Sequence, residues 1–141
     1  MIIYAVDQLV DDLTHEEGYR AHSYVCTAGA ITVGVGRNID ADAGGLGISE
    51  DEAKYMLRND INRSIIECQK FNWFSDLDTQ RQSVLIHLCF WLGYPRLRKF
   101  ENMLAALAEG DYERAADELL DSKLARDIPA RANRLADVLR G

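Results

Sequence analysis

Apolar residues recur at Ile3, Val6, Leu9, Val10 and Leu13, three or four positions apart. That spacing lays one stripe along a helix, so residues 3–15 are predicted to form an amphipathic helix with Gly18 as its stop. The period then changes. Residues His22–Cys26 and Ile31–Val35 alternate apolar with polar, which predicts two short strands hinged on Ala28-Gly29. NIDADAGGLG follows as a loop of turn formers. Ser49 with Glu52 makes a capping box, and the helical period resumes through Ala53, Leu57, Ile61, Ile65 and Cys68. This helix is predicted over about 50–70, long enough to bridge two lobes. A second capping box, Thr79 with Gln82, opens a strongly apolar helix carrying Val84, Leu85, Leu88, Cys89 and Leu92, stopped by Gly93 and Pro95. Shorter helices are expected at 100–108 and 112–122, and a last one at 129–139 with Pro129 in its first turn.

The pattern describes one α+β domain over 1–141. A small lobe at about 16–48 holds the β-hairpin, and a larger helical lobe is drawn from 1–15 and about 60–141. With 141 residues and 48% apolar composition the chain can bury a core of its own. No run approaches the roughly 18 apolar residues of a membrane span, so no membrane insertion is expected. The opening MIIYAVDQ lacks a basic flank and meets Asp7 early, unlike a signal peptide.

Net charge is −7, with 14 acidic and 7 basic residues in 1–93 and 9 of each in 94–141. Such a field repels nucleic acid and rules out steering toward it by net charge. Three cysteines at no framework spacing argue against a disulfide scaffold. Cys68 and Cys89 fall on apolar helical faces, whereas Cys26 lies in the hairpin. His15, His22 and His87 show no metal spacing. Asp40, Asp42, Gly45 and Asp51 imitate a calcium loop only in part, because Gly44 and Asp51 stand where ligands of another kind belong. No metal and no cofactor are expected. RLRK at 96–99 is a short basic surface run.

The densest chemistry lies in EEGYRAHSYVCTAGAITVGVGR, a helix end running into the hairpin. It carries Glu17, then Cys26 after eight residues, then Thr32 after five more. An acid, a thiol and a hydroxyl can thereby face one cleft. Glycoside hydrolysis needs a group that protonates the leaving oxygen and another that supports the opposite face of an oxocarbenium-like sugar. A helix C-terminus and burial between lobes would both keep Glu17 protonated for the first task. Thr32 can donate and accept. Cys26, with an ordinary thiol pKa of ~8.5, could act as a base or a nucleophile if a neighbour lowers that value, or be a small buried bystander.

The stretch resembles the catalytic region of the phage-type lysozymes, glycoside hydrolase family 24, whose usual pattern is Glu, eight residues, Asp, five residues, Thr. Here Cys26 stands at the aspartate position. The resemblance continues in GVGR, where Gly36 would border the substrate and Arg37 replaces a histidine. In HLCFWLG it implies that Phe90 lines the saccharide groove with Trp91 nearby, although Trp91 also suits core packing. In SKLARDIPARANR it implies that Arg131 supports the glutamate, fixing its rotamer and lowering its pKa.

The resemblance thus implies a lysozyme-like fold with a catalytic cleft between lobes. It implies an inverting muramidase that cuts the β-1,4 bond between N-acetylmuramic acid and N-acetylglucosamine, with peptidoglycan as its partner. Glu17 would be the proton donor, Cys26 would take the aspartate role and Thr32 would position water. It further implies a monomeric phage endolysin that accumulates in the host cytoplasm and reaches the periplasm by holin-dependent release. Two rivals stand beside it: a lytic transglycosylase working with Glu17 alone, and a wall-binding module that has lost catalysis.

Overall fold

The protein is described here by a computed structural model covering residues 5–141. Ile3, the first residue of the predicted stripe, lies outside them. The chain forms two compact units, 1–54 and 55–141.

In the first unit, α1 (Val6–Glu17) runs two residues past the predicted end, so Glu17 is its last helical residue. Gly18, at φ +74°, then turns the chain; only glycine takes this left-handed backbone without a Cβ penalty. The apolar stripe forms as expected, yet α1 buries none of its side chains. β1 (Arg20–Val25) and β2 (Ile31–Gly34) pair antiparallel, and β3 (Arg37–Asn38), which the alternation did not predict, adds to β2. β3 is two residues long and carries no readable period. Tyr24 faces Thr32 and Val25 faces Ile31, but Arg20 faces Gly34, so β1 carries extra residues as a bulge. A bulge bends its strand and increases local twist. Thr32 of β2 and Ala30 just before that strand are buried. In the loop, Asp40 caps the 3-10 turn Ala41–Ala43 through Asp42 N–H, and its other oxygen accepts Ile31 N–H. Its carboxylate thus has a structural task.

α2 (Glu50–Cys68) opens on the predicted capping box: Ser49 Oγ accepts Glu52 N–H at 3.3 Å and Glu52 Oε1 accepts Ser49 N–H at 2.8 Å. The second predicted box is corrected. α3 (Thr79–Leu92) is capped by Asp78, which accepts Arg81 N–H at 3.0 Å; Thr79 is already helical and Gln82 turns to Phe74 O. Asp78 wins because its carboxylate also pairs with Arg81 Nη1 at 2.7 Å, a contact that a threonine cannot offer. Gly93 ends α3, but Pro95 does not leave a loop behind it. It sits in the first turn of α4 (Tyr94–Leu97), where its missing N–H costs nothing.

The second unit continues through α5 (Glu101–Glu109), α6 (Tyr112–Leu120), α7 (Lys123–Asp127) and α8 (Pro129–Arg140). Its core is largely aliphatic, with Phe74 buried in it. Leu85, Leu88, Leu97, Met103, Leu119 and Leu139 are fully buried, with Cys68 and Cys89 among them. Each such leucine contributes about 1.5–3 kcal/mol by leaving water. Arg81 fastens the chain end to α3: Nε donates to Leu139 O at 2.7 Å, Nη2 to Arg140 O at 3.0 Å, and the guanidinium covers Tyr112. These bonds satisfy carbonyls that α8 leaves open at its C-terminus.

Candidate active site

Cys26 opens the turn between β1 and β2. Gly29 N–H returns to Cys26 O at 2.9 Å and Cys26 N–H donates to Ala30 O at 2.9 Å, with Gly29 at φ +86°. A side chain at the first position of such a turn looks onto the amides that follow it, as Asx side chains do. Cys26 is a free, part-exposed thiol. Hydrogen bonding to the Ala30 backbone first, then to the Thr32 hydroxyl and the Ala28 and Gly29 backbone, lowers the thiol pKa from its ordinary value against a small opposing effect of burial. The other two thiols go the opposite way: burial pushes both Cys68 and Cys89 up. Cys26 is thus the thiol whose surroundings favour an anion.

Thr32 is buried at 3% exposure, and its hydroxyl donates to Ala30 O at 3.0 Å. Thr32 thus stands beside the turn that carries Cys26, with its hydroxyl bonded to the Ala30 carbonyl.

Glu17 and Gly36 form a couple. Gly36 has φ +68°, and a Cβ there would stand 2.8 Å from Glu17 Oε2 and 3.2 Å from Cγ. The carboxylate occupies space that exists because residue 36 has no side chain. Glu17 itself is exposed.

Arg37, beside Gly36, forms a bidentate pair with Glu52, at 3.0 Å and 2.6 Å, and donates to Gly47 O at 3.1 Å. The pair holds the Glu52 carboxyl down at about 2, with the Ser49 backbone and hydroxyl adding to the effect. Because Glu52 also closes the α2 capping box, one carboxylate ties the hairpin exit to the start of the long helix.

In the second unit, Phe90, His87 and Ile86 of α3, Leu57 and Ile61 of α2, and Arg131 of α8 line a pocket of about 360 Å³. Phe90 is 44% exposed. Trp91 is half-buried, packs against the core, and carries the Arg131 guanidinium 3.7 Å above its ring. Arg131 Nε donates to His87 Nε2 at 2.9 Å.

Residues 14–134 match the phage lysozyme family model. The chain belongs to the phage lysozyme family. A curated relative, probable T4-type lysozyme 2 of Dictyostelium discoideum, is 26% identical over 159 aligned positions, covering 94% of each chain. The matched span includes Glu17, Cys26, Thr32, Gly36, Phe90, Trp91 and Arg131, and the α+β fold agrees with a lysozyme family.

The hydrogen bond from Arg131 to His87 was not among the expectations, in which His87 figured only as a histidine without metal spacing. A signal was present. His87 lies four residues before Trp91 and three before Phe90, so all three share one side of α3.

Proposed function

We propose that this family member is a muramidase that hydrolyses the β-1,4 bond between N-acetylmuramic acid and N-acetylglucosamine in peptidoglycan, with Cys26 in the usual aspartate role. The observation that carries this reading is the place of Cys26 at the opening of the hairpin turn, inside the span that matches the family, where the backbone of residues 28–30 lowers its thiol pKa. The turn amides would serve a carboxylate or a thiolate at this position alike, so the substitution keeps a site for negative charge. In the proposed reaction Glu17 protonates the glycosidic oxygen and the C1–O bond breaks. Water adds its oxygen to C1 and gives its proton to the Cys26 thiolate, while Thr32 orients the water. Inversion follows from attack opposite the leaving group. Glu17 and Cys26 then return to their starting protonation through solvent.

Phe90 and the surface around Gly36 are proposed as sugar contacts, and Arg131 as the supporting cation. A monomeric phage endolysin with holin-dependent release from the host cytoplasm is the biological setting the family resemblance supports.

Mass spectrometry of muropeptides after digestion tests the reading. Reducing N-acetylmuramic acid ends are expected from wild type and none from Glu17→Gln. Ends bearing 1,6-anhydro sugar would instead establish a transglycosylase, for which a missing aspartate is no handicap. Absence of any cleavage by wild type would remove the enzyme reading altogether.

A further inference from the structure

Arg131 is held on two sides. Its Nε–H is committed to His87 Nε2 at 2.9 Å, and one face of the guanidinium lies on Trp91 at 3.7 Å. His87 and Trp91 are themselves in edge contact, with ring centroids 6.3 Å apart and planes at 70°. A guanidinium otherwise swings on a long flexible stem. Here two successive turns of α3 fix both its plane and its in-plane rotation. Among the described residues Nη1 and Nη2 make no hydrogen bond, which leaves a fork suited to the two oxygens of a carboxylate.

We infer that His87 is a positioning residue for Arg131, acting as a neutral hydrogen-bond acceptor that orients the guanidinium and releases it when protonated. The inference rests on the reading above for what Arg131 serves, but the hydrogen bond stands independently of it.

The chemistry of the bond dictates the rest. An acceptor Nε2 requires the tautomer that carries its proton on Nδ1. Protonation places a second proton on Nε2, leaves the imidazole with no acceptor, and sets one cation against another. The charged groups bearing on His87 are Arg131 and Arg134, both on α8; α2 presents Leu57 and Ile61 to the same pocket. Burial first, and then these two arginines, hold the imidazole pKa below its ordinary value. The acceptor form is thereby extended to lower pH than an exposed histidine would allow. The sign for stability follows. A base whose folded pKa is depressed leaves the unfolded chain binding more protons, so the native state gains stability as pH rises through the interval up to the ordinary histidine value of ~6.5.

Nitrogen-15 NMR on the full-length protein tests the inference directly. Near neutral pH, His87 Nε2 is expected as the unprotonated ring nitrogen, with a slowly exchanging Arg131 Nε–H signal. On acidification that signal should collapse at the pH where His87 titrates. Wall clearing supplies the second readout: His87→Ala should lose about tenfold in rate through a loosened Arg131. His87→Gln, whose amide oxygen replaces the Nε2 acceptor, should recover most of it. An Nε2-protonated tautomer, an Arg131 signal indifferent to the His87 titration, or a His87→Gln variant no better than alanine would each overturn the proposal. Should wild type fail to cleave peptidoglycan, the muramidase reading falls, and the NMR titration alone decides whether His87 orients Arg131.

Discussion

At Cys26 the local backbone, more than any charged neighbour, determines what the side chain can do. The backbone of residues 28–30 and the Thr32 hydroxyl lower its thiol pKa. Alkylation of the native protein should therefore modify Cys26 alone, because Cys68 and Cys89 are buried and their thiols are raised. The pH midpoint of that alkylation should lie below that of a free thiol and move upward in Thr32→Val, which removes the hydroxyl. An unmoved midpoint would show that the hydroxyl does not serve the sulfur. Gly36 offers a matching test for the acid. Gly36→Ala forces a Cβ into a left-handed backbone, costing about 1–2 kcal/mol, and displaces the Glu17 carboxylate it would meet at 2.8 Å. Glutamate can swing aside, so thermal unfolding should record mainly the backbone cost. Wall-lysis kinetics should record a loss of roughly tenfold or more from the misplaced carboxyl.

At the scale of elements, helices with a long apolar period were legible, whereas their ends were decided by side chains that a pattern does not rank. The capping box at Ser49 and Glu52 was visible because the motif is local. The start of α3 was misplaced by one residue because Arg81 reaches back to Asp78, a bond invisible to the spacing rule. Unfolding of two variants separates the caps: Asp78→Ala should cost about 1 kcal/mol and Thr79→Ala only a few tenths. Equal losses would restore the threonine cap. Glu52 carries a pH signature as well. Its folded pKa of about 2 lies below the ordinary 4.5, so its contribution to stability is complete above 4.5 and is lost as pH falls toward about 2. Melting temperatures across that interval should fall less steeply in Glu52→Gln than in wild type; parallel slopes would contradict the pairing with Arg37. Of the link from His87 to Arg131, only the shared side of α3 that carries His87, Phe90 and Trp91 was legible; the bond itself joins residues 44 apart through the packing of α8 on α3.

Over the whole chain, the family match runs through both compact units, while the net charge of −7 leaves no global attraction to an anionic wall. Recognition must then come from local groups, and the account places its chemistry in a few of them. Spacing placed Glu17, Cys26 and Thr32 in one stretch, and the family resemblance added Gly36. What spacing left open was whether a thiol can stand in for a carboxylate, because the answer depends on where backbone amides point. Rates of peptidoglycan clearing by Cys26→Ser and Cys26→Asp, measured beside wild type with folding verified, address that question most directly. Serine, which forms no anion near neutral pH, is expected to abolish clearing, and aspartate at the same turn position to keep a measurable part of it. Full activity in both variants would make the thiol a bystander and contradict the central claim.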